Sequence, residues 1–161
     1  MEFGFSYVGL VYLLMLYVPN ILWARMQPEG YDPSGENRIL VVLERIGEVA
    51  VTCLVLIFSD FNIRGWSSWS WWLVVSFSAM VLYELYWIRY FRSSRTLADQ
   101  YGPFLGIPIP GALLPIVAFM LLSVYGCNPI LAVATVVLGI GHLGIHIGHA
   151  RECISERSNG D

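Results

Sequence analysis

The chain has 161 residues, 57% hydrophobic and 13% charged, with a formal net charge of −3. Its apolar residues fall in blocks of about 20, each able to cross ~30 Å of hydrocarbon at ~1.5 Å per residue, which excludes an ordinary soluble core. All nine basic residues are arginine, so a lysine Schiff base is excluded, a retinal protein included, and no basic patch suits nucleic acid.

The expected fold is therefore all-α: a polytopic helical bundle of about five spans in a bacterial cytoplasmic membrane, forming one domain over residues 1–161. Span one covers about residues 5–24 and is too long, with no basic start, for a cleavable signal. Pro19 breaks it late, freeing a carbonyl beside the Asn20 amide. A polar loop, Arg25 to Arg38, holds Pro28, Gly30, Pro33 and Gly35, all turn formers. Span two, about 39–59, carries Glu44, Arg45 and Glu48, unusual for a lipid-facing helix. Arg45 and Glu48, at i and i+3, can neutralise each other.

Trp66, Trp69, Trp71 and Trp72 lead into span three, about 69–90, and read as an interfacial aromatic belt. Span three holds Glu84 among Tyr83, Tyr86 and Trp87, where a neutral acid can hydrogen-bond a tyrosine. The stretch Arg89 to Gly111 predicts a short interfacial helix capped by Ser93 or Ser94. Its second part, GPFLGIPIPG, is too rich in proline and glycine for regular helix and must lie at the interface or dip back into the protein. Span four, about 108–125, contains Pro115; span five, about 129–150, holds all three histidines, His142, His146 and His149. His142 and His146 share a helix face at i and i+4, flanked by Gly141, Gly144 and Gly148, which offer a close-packing surface to a neighbouring helix in this chain or in a homodimer. Cys53, Cys127 and Cys153 sit at different depths and do not suggest a disulfide framework.

Five spans put the termini on opposite sides. Arg25, Arg38, Arg89, Arg92, Arg95, Arg151 and Arg157 fall on one side and Arg64 alone on the other, so the positive-inside rule puts the N-terminus outside and the C-terminus in the cytoplasm. In that frame Glu44 and Glu48 lie roughly 8 to 15 Å below the cytoplasmic surface at ~1.5 Å per residue. Asn20, Glu84, His142 and His146 reach the same half, with His149 nearer the rim. A charged side chain at mid-membrane costs ~3 kcal/mol, and such residues mark ion, proton or substrate sites.

Three functions compete for this layer. The preferred one is a small transporter or channel-like protein that binds a solute or cation at Asn20, Glu44, Glu48, Glu84, His142 and His146. The alternative is a metal-dependent membrane enzyme, with His142 and His146 as nitrogen ligands and Glu48, Glu84 or Glu44 completing a shell for zinc, iron or manganese. His149 and Cys153 also stand at i and i+4, but at the rim they carry less weight than the deeper pair. The histidine-rich di-iron membrane oxygenases use more histidines than the three here. Haem between histidines of two helices is excluded within one chain, because only span five has any. Gly139-Ile-Gly141-His-Leu-Gly144 fits G-x-G-x-x-G but lacks the βαβ setting of a dinucleotide fold.

The third function is a sensory or apolar-ligand-binding protein. The five-span, tryptophan-rich layout is similar in size and topology to the tryptophan-rich sensory protein (translocator protein) family, whose tryptophan–proline patterns have no match here. The combination of Glu44-Arg45-Ile46-Gly47 in span two with Gly141-His142-Leu143-Gly144-Ile145-His146 near the end resembles small bacterial multi-spanning membrane proteins. That resemblance covers most of the length and implies no activity.

Overall fold

The structure is a computed structural model that describes the backbone of residues 1–159 and the side chains of residues 1–155. The described residues form α1 (Tyr7–Arg25), α2 (Arg38–Ile57), α3 (Trp71–Arg92), a short α4 (Leu97–Tyr101), α5 (Pro110–Tyr125) and α6 (Pro129–Asn159), with no strand among them. The sequence chemistry explains where each helix begins. Ser6 accepts from the Gly9 amide at 2.9 Å, Asn37 from Ile39 at 2.9 Å and Asn128 from Leu131 at 3.0 Å, satisfying amides that a first turn leaves unpaired. Pro110 and Pro129 open α5 and α6, where a missing N–H costs nothing.

Among the described residues, three helical stretches are long and apolar enough to cross a membrane: Tyr7–Arg25, Ser68–Arg92 and Pro129–Ser155, with mean hydropathies of 1.6, 1.4 and 2.1. The sequence predicts five spans, and two fall short on this measure for plain reasons. α5 is apolar but has 16 residues, and the 20 residues of α2 include Arg38, Glu44, Arg45 and Glu48. α6 runs past the expected end near residue 150, while Arg157 lies outside the described side chains.

The long helices run alternately up and down. At one end the Gly4 amide donates to the Ile57 carbonyl, Ser59 donates to Glu2, and Trp69 Nε1 donates to the Tyr125 carbonyl at 3.0 Å. At the other end Tyr90 donates to the Met26 carbonyl and Trp23 Nε1 to Gln100 at 3.1 Å. We call these the tryptophan end and the arginine end. Trp66, Trp69, Trp71 and Trp72 are exposed at the first.

Packing is closest between α2 and α6 and between α3 and α5. The α2–α6 contact is built on glycine from both sides. A Cβ on Gly47 would collide with the Leu138 backbone, and one on Gly141 would collide with the Glu44 amide and the Leu40 carbonyl. Gly144 meets only the Leu40 side chain, and Gly148 faces open space. Gly141 and Gly144 thus serve packing within the chain.

The half of the bundle at the tryptophan end is filled by Val51, Val55, Met80, Phe119, Leu122 and Leu131, all buried. Its polar groups satisfy one another: Tyr12 donates to Ser76 at 2.9 Å, and Ser76 to the Ala118 carbonyl at 2.7 Å. α1 meets α2 here, where Gly9 lies against the Val55 carbonyl. Tyr17 and Thr52 share a hydrogen bond of 2.6 Å midway. Below that level α1 leans on α3, through Asn20 to Tyr83, and parts from α2.

The segment after α3 is held from α3 itself. Arg89 donates to the Asp99 carbonyl at 2.7 Å and the Pro103 carbonyl at 3.2 Å, and its guanidinium lies over the Tyr86 and Phe104 rings. The cap of α4 is Thr96, paired reciprocally with Asp99, and not Ser93 or Ser94. The turn begins later than the sequence suggested because Ser93 instead closes α3, donating to the Tyr90 carbonyl at 2.8 Å.

Candidate functional site

Where α1 and α2 part, a cavity of about 460 Å³ opens in the arginine half, a size suited to a small organic ligand. All five long helices line it. From α2 come Glu44, Arg45 and Glu48; from α6, Leu138, His142, Ile145, His146 and His149; from α1, Leu16, Tyr17, Asn20, Trp23 and Ala24. α3 adds Tyr83, Tyr86 and Trp87, and α5 adds Ile116 and Phe119.

The chemistry concentrates on the α2–α6 wall, and the glycine contact causes it. Gly141 presses on the Glu44 backbone, so the next side chain along α6 emerges beside the Glu44 carboxylate. His142 Nδ1 and Glu44 Oε1 share a short hydrogen bond of 2.6 Å. One turn on, the His146 ring lies 4.4 Å from that of His142, centroid to centroid. Ligand atoms of Glu44, His142 and His146 all lie within 4.8 Å of one another, so this group could hold a metal ion. Two imidazoles and a carboxylate would suit zinc, iron or manganese.

The other expected site residues fall as follows. Asn20 lines the cavity, its amide divided between the Leu16 carbonyl at 2.7 Å and the Tyr83 hydroxyl at 2.9 Å. Glu48 also lines it, but bonds Arg45 at 3.2 Å as the i, i+3 spacing suggested. Arg45 itself is 74% exposed and points outward. Glu84 is not among the lining residues. α3 turns Tyr83, Tyr86, Trp87 and Tyr90 inward, and Glu84 sits a quarter-turn round from Tyr83, with one carboxylate oxygen buried and unbonded among the described residues. The carboxylate beside the histidine pair is thus Glu44, with neither Glu48 nor Glu84 in the cluster.

His149 at the rim proves well partnered. Its Nε2 bonds Glu36 at 3.0 Å, its Nδ1 lies 3.5 Å from Glu152, and its ring sits between Tyr101, stacked at 5.7 Å, and Tyr31 at 5.4 Å. Tyr31 donates to Glu36 at 3.3 Å and meets Trp23 edge-on. Together these groups line the arginine end of the cavity with the loop between α1 and α2, beside the exposed Gln27 and Pro33. Burial, and secondarily the Glu36 carboxylate, push the Tyr31 hydroxyl up to about 12, because a phenolate here would be poorly solvated and would meet a like charge. Burial pushes the Tyr101 hydroxyl up as well.

Sequence reasoning missed Tyr31, Glu36, Gln100 and Tyr101. Tyr31 and Glu36 lie in a loop without periodicity, where only the turn residues carried a signal. For Tyr101 a usable sign existed: Thr96 followed three residues later by Asp99 is a helix start that fixes the facing of Gln100 and Tyr101.

No protein-family model, curated protein or solved structure matches this chain.

Proposed function

We propose that this protein binds a divalent transition-metal ion at Glu44, His142 and His146 inside a membrane-spanning bundle, and uses it to hold a small molecule in the adjoining cavity. The observation that carries the reading is the convergence of one carboxylate and two imidazoles, from two helices locked together by Gly47 and Gly141, on one wall of a large cavity. An ion alone needs far less than about 460 Å³. The remaining space favours a metal-dependent membrane enzyme over a simple cation carrier. The packed apolar half at the tryptophan end supports the same preference, since transport would require it to open. Transport of a cation or solute remains the second reading, supported by a site reached from one half of the bundle only.

In the membrane reading α2 and α5 also cross, the N-terminus lies outside and the C-terminus inside, following the arginines. α2 crosses with its charges turned towards α6 and the cavity, apart from Arg45.

Metal analysis of the detergent-purified protein tests the central claim. Near-stoichiometric zinc, iron or manganese is expected, lost in the His142→Ala/His146→Ala variant. A wild-type affinity no tighter than that of the double variant would overturn it.

A further inference from the structure

We propose that Gln100 and Tyr101, side by side on α4, are specificity-determining residues of this cavity, and that they take the carbonyl oxygen of an uncharged aromatic carbonyl compound. This rests on the reading of a small molecule held beside a metal ion, and it names the chemical class of that molecule and the wall that recognises it.

Gln100 and Tyr101 are only 5% and 8% exposed, and both line the cavity. Trp23 Nε1 donates to Gln100 Oε1 at 3.1 Å, and an indole N–H can only donate. The carboxamide is thereby fixed with its oxygen towards Trp23 and its NH2 group turned away. That NH2 group and the Tyr101 hydroxyl have no hydrogen-bond partner among the described residues. Neither is sealed in packing, since the sealed side-chain atoms without a partner are Glu84 Oε1, Trp87 Nε1 and Asn128 Nδ2. Both are therefore within reach of a molecule in the cavity. Burial pushes the Tyr101 hydroxyl up, so it stays protonated and able to donate. Its ring lies 5.8 Å from that of His146, which places it beside the metal site. The segment that carries the two donors is anchored without any ligand: Tyr86 donates to the Gln100 carbonyl at 2.7 Å, and Arg89 to the Asp99 carbonyl at 2.7 Å. Two fixed, unmet donors call for an acceptor.

Charge narrows the kind of acceptor. The lining holds three carboxylates, Glu36, Glu44 and Glu48, against one arginine, Arg45, which disfavours an anion. Each carboxylate already shares a hydrogen bond, with His149, His142 and Arg45 respectively, so a cation would have to displace a partner to be paired. An uncharged carbonyl oxygen fits what is left, because its two lone pairs suit two neutral donors. The rings of Trp23, Tyr31, Tyr83, Tyr86, Trp87 and Phe119 also line the cavity and offer flat apolar walls to the aromatic part. A molecule of the same shape without the carbonyl would leave both donors unmet, and this gives the wall its selectivity.

The test uses the full-length protein in detergent micelles, incubated with zinc and desalted, and benzophenone as the probe, an uncharged diaryl ketone that photolabels what it touches. Saturable labelling of cavity residues is expected. Isotope-edited infrared spectroscopy should find the bound carbonyl stretch below that of the probe in empty micelles. Gln100→Glu keeps an oxygen for Trp23 and removes the N–H donors, while Tyr101→Phe keeps the ring against His146. Each should raise the half-saturating concentration roughly fivefold, the loss of one neutral hydrogen bond, and move the stretch back towards its micelle value. Diphenylmethane, of similar shape without the carbonyl, should displace the label from either variant at no higher concentration than from wild type; weaker displacement would mean a deformed cavity and reject the assignment of these two residues. A stretch lowered in wild type and unmoved in both variants would put the carbonyl on the metal and overturn the proposal, as would labelling without saturation. Zinc analysis of the same samples separates the two readings. Bound zinc without saturable labelling rejects the carbonyl ligand alone; saturable labelling with the lowered stretch but without zinc rejects the metal site alone.

Discussion

Glu44 is the residue on which the site turns, and two roles for it differ in magnitude. As a ligand it would supply one of three protein donors; as the hydrogen-bond partner of His142 Nδ1 at 2.6 Å it would fix which imidazole nitrogen is left to face an ion. Outer-shell carboxylates of this kind typically change metal affinity by about 10–100-fold. We expect Glu44→Gln to exceed that range in a metal-competition titration, and a loss within it would assign Glu44 to orientation. Tyr31 offers a second measurement at this scale. A hydroxyl held neutral up to about 12 contributes stability that is fully present below its ordinary value of 10.0 and is lost as pH rises through about 12. The alkaline absorbance change of wild type minus Tyr31→Phe should therefore have its midpoint near pH 12. A midpoint near 10 would mean that the loop does not cover the ring.

The α2–α6 pair shows how an element sets a site. Gly141→Ala drives a methyl group into the Glu44 amide and the Leu40 carbonyl, which are backbone atoms and cannot swing aside. Overpacking of this kind costs roughly 1–3 kcal/mol. Gly144→Ala meets the tip of Leu40 and should cost less, whereas Gly148→Ala meets nothing and gains ~1 kcal/mol of helix propensity. Unfolding midpoints in micelles should rank Gly148→Ala above Gly144→Ala above Gly141→Ala, and metal affinity should fall with Gly141→Ala. Equal midpoints would remove the glycine contact as the cause of the Glu44–His142 alignment. The sequence made the glycine face and the histidine face legible together, since both follow from 100° per residue. It did not reveal which carboxylate α2 presents. Glu44 and Glu48 share a face by spacing, and only the point where Gly141 meets the α2 backbone decides between them.

Across the whole molecule, helix content and alternation were legible because hydropathy blocks and turn residues mark them directly. The depth argument placed Asn20, Glu44, Glu48, His142 and His146 around one cavity. Glu84 does not line that cavity, because depth fixes height along a span and says nothing of azimuth. The loop lining the arginine end was illegible for another reason: Tyr31 and Glu36 are positioned by contacts with His149, more than 100 residues away in the chain. Orientation in the membrane remains open to direct measurement. All three cysteines are free, with Cys127 exposed at the tryptophan end and Cys153 partly exposed on α6 beyond His149. A membrane-impermeant maleimide applied to intact cells should modify Cys127 and spare Cys153 until the membrane is opened. The reverse pattern would invert the topology drawn from the arginines.

The last hydrogen bond between α1 and α2, Tyr17 to Thr52, gives the remainder of α1 the mechanics of a lever. From that point to Arg25 it is a rod of ~12 Å, so a rotation of about 10° moves its free end by ~2 Å. Three side-chain hydrogen bonds tether that end away from α2: Asn20 to Tyr83, Trp23 to Gln100, and Tyr90 to the Met26 carbonyl. At about 1 kcal/mol net each they sum to roughly 3 kcal/mol, which holds an empty bundle in the splayed position by about two orders of magnitude. A guest that touches both α1 and α2 supplies the opposing torque. Grip on the guest is then set by how readily those three tethers yield, and weakening any one of them should tighten binding.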